Sequence, residues 1–177
     1  MRCIVTGGCG FLGSHLVEHL VKKNHEVIVI DNLSTGSIKN IKNLKVKFVK
    51  ADIANKEKIS KYFKNVDWVF HIAALADIVP SIENPKNYFS SNVIGTFNVI
   101  ELCKNKKIKK FIYISSSSCY GIPKFYPTKE NSKIKTEYPY ALTKYLGEEI
   151  VMHWGKVYKI PVVSLRCFNI YGPKSRT

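Results

Sequence analysis

The chain is 177 residues long, about one domain's worth, and its 45% hydrophobic and 23% charged residues exclude a disordered chain. No apolar run approaches the roughly 18 residues of a membrane-spanning helix, and the apolar stretch behind Met1 is too short for a secretory leader. The net charge of +15 raises nucleic acid as a partner, but only three of the 28 basic residues are arginines (Arg2, Arg166, Arg176); the lysines are scattered and lack the planar fork that reads phosphates and bases, so no nucleic acid and no membrane partner is expected.

Five cysteines stand at positions 3, 9, 103, 119 and 167, an odd count with wide spacing and no Cys-x-x-Cys. That pattern predicts neither a disulfide framework nor a zinc site; no metal is expected, and the setting is a reducing cytoplasm.

In chain order, a β-branched run predicts a strand over 2–6. It runs into Thr6-Gly7-Gly8-Cys9-Gly10-Phe11-Leu12-Gly13, and a helical pattern follows over 11–23. Gly7, Gly10 and Gly13 have the spacing of a phosphate-binding loop between strand and helix. The first permits the tight turn, the second the approach of a pyrophosphate, and the third close packing of helix on strand. A second strand over 26–30 ends at Asp31, 18 residues after Gly13. A carboxylate there suits the two hydroxyls of an adenine ribose and repels a 2′-phosphate, so NAD is favoured over NADP. Residues 32–45 read as polar and irregular.

A third strand over 46–49 precedes Asp52-Ile53, where the carboxylate either accepts from an adenine amino group or caps the helix predicted over 56–63. Further strands are predicted over 67–71, 110–114 and 162–166, and further helices over 88–104 and 138–158. The strands are nearly continuous apolar runs, as for parallel strands buried on both faces. Alternation of strand and helix predicts an α/β fold with a doubly wound parallel sheet.

Ser115-Ser116-Ser117-Ser118-Cys119-Tyr120-Gly121 follows the fifth strand, at the sheet edge where open α/β folds bind ligands. A long loop with Pro123 and Pro127 runs over 121–137. On the last helix Tyr140 and Lys144 are four apart and share a face. An ammonium beside a phenol favours the phenolate, which would make Tyr140 a usable base. The same spacing at Tyr120 and Lys124 is interrupted by Gly121 and Pro123 and cannot be a helical pair.

Together with His71-Ile-Ala-Ala74, Asn92-Val-Ile-Gly-Thr96 and Arg166-Cys-Phe-Asn-Ile-Tyr-Gly-Pro173, these motifs resemble the extended short-chain dehydrogenase/reductase superfamily. The similarity is to its NAD-dependent nucleotide-sugar epimerases and dehydratases, the UDP-glucose 4-epimerase type in particular. The resemblance implies NAD as resident cofactor on a Rossmann sheet. Gly7, Gly10, Phe11, Leu12 and Gly13 would lie along the pyrophosphate, Asp31 and Asn32 at the adenosine ribose, and Asp52 and Ile53 at the adenine. Ala73, Ala74 and Leu75 would line the cofactor path, with Asn92 on the cofactor side and Phe168 touching the cofactor. Tyr140 would be the catalytic base, Lys144 its partner and a cofactor ligand, and Ser116 the catalytic serine, relaying the proton or orienting the substrate. Ser116, Ser117, Tyr140 and Asn169 would meet the substrate.

The implied reaction is epimerisation of a UDP-hexose by transient oxidation at C4. The alternatives are another nucleotide-sugar oxidoreductase, a uronate epimerase, a dehydratase, or a non-catalytic NAD-binding module. The 4,6-dehydratases carry Asp-Glu where this chain has Ser117-Ser118, so the acid and base for water elimination are missing. The resemblance also implies a homodimer through the helices over 88–104 and 138–158, with Val93, Phe97, Ile100, Leu142, Leu146 and Ile150 on their apolar faces. Residues 1–166 are expected to form the NAD-binding domain. Residues 167–177 would begin a substrate domain that is truncated here, so the chain reads as a fragment of a longer protein.

Overall fold

The computed structural model describes residues 1–123 and 125–175. Lys124, Arg176 and Thr177 lie outside them, and with them the Tyr120–Lys124 spacing and the end of the 167–177 segment.

The strands are β1 (Arg2–Thr6), β2 (Glu26–Asp31), β3 (Lys47–Lys50), β4 (Trp68–His71), β5 (Lys110–Ser116) and β6 (Val162–Cys167). They form one parallel sheet in the order β3-β2-β1-β4-β5-β6. The order reverses direction between β1 and β4, and ligands bind above the strand C-termini at such a switch point.

The alternation of side chains divides the core into two layers. Ile4, Ile28 and Ile30 point to one face, where Val99, Ile100 and Val151 pack over them. Cys3, Val5, Val27 and Val29 point to the other, under Val17 and Leu20 of α1 (Phe11–Lys22). Each fully buried aliphatic side chain contributes about 1.5–3 kcal/mol. The expectation that every strand is buried on both faces holds for β1 and β2 but not for edge strand β6. There Val163 and Leu165 are each 44% exposed, because no described helix crosses their face.

The remaining helices are α2 (Lys56–Ser60), α3 (Ile78–Glu83), α4 (Pro85–Tyr88), α5 (Gly95–Glu101) and α6 (Pro139–Tyr158). A 3₁₀ turn, Lys61–Phe63, extends α2. Two helix expectations are corrected. The helix expected over 88–104 starts at Pro85, passes through a π-helical turn at Phe89–Ile94 and ends as α5 at Glu101. Helix α3 has no clear apolar period and was not anticipated; Pro80 and the exposed Ile78, Val79 and Ile82 disguise it as loop. Pro139 at the first position opens α6 without a side-chain cap, consistent with its preset φ and missing N–H.

Polar contacts fix the C-terminal edge. Arg166 grips the buried carboxylate of Glu148 with Nε (3.0 and 3.1 Å) and Nη2 (2.6 Å), joining β6 to α6. Its Nη1 donates to Tyr120 Oη (3.0 Å) and to the Glu130 carbonyl (3.3 Å), which fastens the long loop to the sheet. Residues after β6 turn back over α1, where His15 Nε2 donates to the Pro173 carbonyl (2.8 Å).

Candidate functional site

Two adjoining cavities open above the strand C-termini. The smaller is lined by Gly7, Gly10, Phe11, Leu12, Gly13, Asp31, Asn32, Asp52, Ile53, Ala73, Ala74 and Leu75, together with Ser34, Thr35 and Ser91. The larger, about 1160 Å³, shares Gly10, Phe11, Thr35, Ala74 and Leu75 with it and extends to Ser116, Ser117, Tyr140, Phe168 and Asn169.

The glycine loop is built as its spacing requires. Gly7 has φ +71° and its N–H donates to the Ile30 carbonyl (2.8 Å). A Cβ there would stand 2.6 Å from the Ala73 nitrogen, and one on Gly13 would stand 2.1 Å from the Gly7 carbonyl oxygen. A Cβ on Gly10 would meet only the Gly7 oxygen, at 3.3 Å, so this glycine keeps the backbone bare on the cavity side. Gly10 also starts α1 without a side-chain cap, and the helix-start N–H groups suit an anion. A dinucleotide pyrophosphate therefore fits this cradle.

Asp31 is 7% exposed and held rigidly, accepting from Cys9 N through Oδ2 (2.9 Å) and from Leu33 N through Oδ1 (2.8 Å). Its carboxylate thus ties the glycine loop to the turn after β2 while still lining the cavity. Asp52 accepts from Ala54 N (2.8 Å) and Asn32 Nδ2 (2.9 Å). It does not cap α2; Asn55 does, accepting from Lys58 N (3.2 Å).

Asn92 is placed differently from the expectation that it faces the cofactor. It is 1% exposed and lines neither cavity. Its Oδ1 accepts from Leu75 N (2.8 Å), and its Nδ2 donates to the Leu75 carbonyl (3.0 Å) and to Thr143 Oγ1 (3.1 Å). It staples the cavity-lining loop to α6. Phe168, expected at the cofactor, stands in the wall of the larger cavity and is 60% exposed.

Beneath the loop lies a buried polar chain. Thr96 Oγ1 donates to the Asn92 carbonyl (2.6 Å) and so accepts from His71 Nε2 (2.8 Å). His71 Nδ1 then accepts from Thr6 Oγ1 (2.7 Å), which itself accepts from Ile72 N and Ala73 N (3.2 and 3.3 Å). Each donor finds an acceptor only if His71 is neutral with its proton on Nε2. Burial agrees, pushing the imidazole down to about 3.

Ser116 and Tyr140 line the same wall of the larger cavity. The Tyr140 N–H donates to buried Ser81 Oγ (3.1 Å), which joins α6 to α3. Lys144 is 4% exposed; its Nζ donates to the Ile114 carbonyl (2.5 Å) and lies 4.5 Å over the Tyr113 ring. Burial lowers this ammonium to about 8.

The expected lowering of Tyr140 is not found. Burial raises its phenol above the usual value, the neighbouring Ser116 hydroxyl opposes that, and nearby Cys119, Asp77 and Cys167 add to the rise. The ammonium that was to favour the phenolate is directed at a backbone carbonyl instead.

The sequence reading missed Ser34, Thr35 and Ser91 at the smaller cavity, and Asp77, Asn84, Asn87 and Tyr88 at the larger. The last four lie on or beside the two short helices that periodicity did not resolve. A signal existed at Gly36, whose absent Cβ would stand 2.8 Å from the Cys9 carbonyl carbon and so presses the 33–36 turn against the glycine loop. Asp77 is a second signal visible only in the fold, a non-glycine residue at φ +78° beside the cavity.

The family model for the NAD dependent epimerase/dehydratase family matches residues 3–177. A Methanocaldococcus jannaschii protein with a provisional UDP-glucose 4-epimerase name is 42% identical over 97% of this chain and 56% of its own length. The Lactobacillus helveticus UDP-glucose 4-epimerase is 34% identical over 99% of this chain and 53% of its own length. The Thermus thermophilus UDP-glucose 4-epimerase, solved with NAD, superposes with a TM-score of 0.93 at 36% identity, over 99% of this chain and 58% of that one. The chain thus spans about half the length of the curated relatives it matches.

Proposed function

The chain belongs to the NAD dependent epimerase/dehydratase family, and on that premise we propose that it is the cofactor-binding part of an enzyme that inverts C4 of a UDP-linked hexose. The observation that carries this reading is the continuity of the two cavities, with the glycine loop and Asp31 at one end and Ser116 and Tyr140 at the other. UDP-sugar relatives of the same fold support it. One is the Methanobrevibacter ruminantium UDP-N-acetylglucosamine 4-epimerase solved with UDP-N-acetylmuramic acid, at a TM-score of 0.93, 36% identity and 57% coverage of that chain.

In this reading Gly7, Gly10, Phe11, Leu12 and Gly13 hold the pyrophosphate of NAD, Asp31 and Asn32 its ribose, and Asp52 and Ile53 its adenine. Ala73, Ala74 and Leu75 line its path. When bound there, NAD would supply the hydride acceptor and donor for C4. Tyr140 takes the C4 hydroxyl proton and gives it back, Ser116 orients the exchange, and Ser117 and Asn169 contact the sugar nucleotide. Lys144 favours the phenolate once its ammonium turns from Ile114 toward the cofactor side. Residues 167–177 begin the substrate domain.

The test is incubation of the full-length protein, this chain completed by its substrate domain, with NAD and UDP-glucose. Formation of the C4 epimer without net NADH is expected. Stoichiometric NADH would point to an oxidoreductase, and bound NAD without conversion would point to a binding module.

Asp31 should set the cofactor choice, because a 2′-phosphate would face a carboxylate already fixed by two N–H groups. NAD should bind more tightly than NADP, and Asp31→Ala should narrow the difference. Titration of both cofactors checks this, and equal affinities for the unaltered chain would sink the assignment.

A homodimer through α6 and the α4–α5 segment is part of the same reading, though its apolar face keeps only part of the expected one, Leu142 among it. Val93 and Ile100 are buried in the chain's own core, whereas Phe89, Ile94, Tyr138 and Leu142 are 41–47% exposed. These four residues, with the groove between Phe89 and Leu142, support a second copy as occupant. Light scattering should give twice the chain mass; a strictly monomeric mass at high concentration counts against it. All five cysteines are free, four of them buried, which supports a reducing, cytoplasmic setting. No described helix is long and apolar enough to cross a membrane.

A further inference from the structure

Ser118 stands where the similar dehydratases carry a glutamate, and its contacts show what a hydroxyl does there. The Ser118 Oγ donates to Ser116 Oγ (2.8 Å), and the Ser118 N–H donates to the same oxygen (3.2 Å) as the N-terminal cap of a 3₁₀ turn. A serine oxygen has two lone pairs and one proton. Both lone pairs of Ser116 are therefore occupied, and what remains is its O–H, on a side chain that shares a cavity wall with Tyr140.

We propose that Ser118 is a positioning residue that makes Ser116 a donor only. It occupies the acceptor sites of Ser116, so that the Ser116 O–H is directed at Tyr140 and holds the phenolate rather than relaying a proton. This rests on the reading of Tyr140 as the base, and it rules out the relay among the roles left open for Ser116. A relay would require Ser116 to accept the sugar's hydroxyl proton while giving up its own. With both lone pairs filled it cannot accept without first losing Ser118, so the sugar proton goes directly to the Tyr140 oxygen. No bond order changes at Ser116 or Ser118. The O–H of each is retained throughout, and the only proton moved is the one from the C4 hydroxyl to the phenolate.

The Ser115–Gly121 segment has no other group in Ser118's position. Cys119 turns inward, its thiol near Ser115 Oγ and the Ala141 carbonyl (3.8 Å each). Ser118 itself is half-buried at the cavity wall, so a change there leaves the core alone.

The experiment is a pH titration of the Tyr140 phenolate absorbance in the chain loaded with NAD, taken as the difference from the matching Tyr140→Phe protein. Ser118→Ala should raise the Tyr140 pKa by about half to one unit, the size of one lost orienting hydrogen bond. Ser118→Thr, which keeps the hydroxyl, should leave it unchanged. Ser116→Ala should raise it at least as much, and the double Ala variant no further than Ser116→Ala, because Ser118 acts through Ser116. Equal shifts in Ser118→Ala and Ser118→Thr would overturn the proposal, as would an unchanged value in Ser118→Ala beside a shifted one in Ser116→Ala. In both of those cases the Tyr140 reading survives. No shift in either Ala variant would remove the Ser116–Tyr140 pair itself, and the proposal with it.

Discussion

In the full-length protein, this chain completed by its substrate domain, Tyr140→Phe should abolish sugar-nucleotide conversion while leaving NAD bound. The ring keeps its place on α6, where the backbone N–H is held by Ser81 and the ring lies edge-on to Tyr88. Only the proton acceptor is lost, and loss of one positioned proton-transfer group costs on the order of 10²–10⁴-fold in rate. The pH dependence has a definite sign. Burial raises the Tyr140 phenol, so the phenolate is scarce at neutral pH and conversion should rise with pH until Tyr140 has titrated. Cofactor charge and a reoriented Lys144 would move that limb downward, so Tyr140 should titrate lower with NAD than without. Lys144→Ala should reduce both conversion and NAD affinity. The measurements are conversion rate and transient NADH absorbance for each variant. Near-normal conversion by Tyr140→Phe would overturn the base assignment and leave the argument from the glycine loop and Asp31 standing.

The parts of the site that could be read in the sequence are those fixed by backbone geometry. The Thr6–Gly13 run has few ways to leave a buried strand and enter a helix, so its spacing alone placed the turn, the bare backbone at Gly10 and the close packing at Gly13. Asp31 follows from the length of one helix and one strand. The sheet was legible because continuous apolar runs at β1 and β2 admit no other burial. What could not be read depends on side chains meeting across elements. Asn92 resembles a ligand residue in sequence, but its amide is spent on Leu75 and Thr143, partners 17 and 51 residues away. Lys144 shares a helical face with Tyr140, yet a lysine has four rotatable bonds and a buried carbonyl within reach at Ile114. Helix α3 escaped because its apolar residues face outward, so no period marks it.

Acid should destabilise this fold through His71 before it titrates most carboxylates. The imidazole is fully buried between Thr6 and Thr96, with Nε2 donating and Nδ1 accepting. Protonating Nδ1 would turn an acceptor into a donor facing a Thr6 oxygen that already accepts from two backbone N–H groups. Burial and the nearby Lys144 ammonium both oppose the charge and hold the ring down to about 3, against 6.5 in the unfolded chain. The sign follows by linkage. Below 6.5 the unfolded chain takes up a proton that the folded chain refuses, so stability is full above 6.5 and falls as pH drops toward 3. At 1.36 kcal/mol per pH unit, the loss is about 2 kcal/mol at pH 5 and on the order of 4–5 kcal/mol at pH 3, a large part of a typical domain's stability. Denaturant unfolding at pH 7 and pH 5 would measure it against His71→Asn, which has no titrating ring. The unaltered chain should lose about 2 kcal/mol more than the variant over that interval, the contributions of other groups cancelling in the comparison. Where His71→Asn folds poorly, the ring nitrogen resonances of the native protein report the same point, and they should keep the Nε2–H neutral form from pH 7 to pH 5. Equal losses in the two proteins, or a ring that protonates in the folded state near 6.5, would show that the Thr6–His71–Thr96 chain does not hold the imidazole neutral.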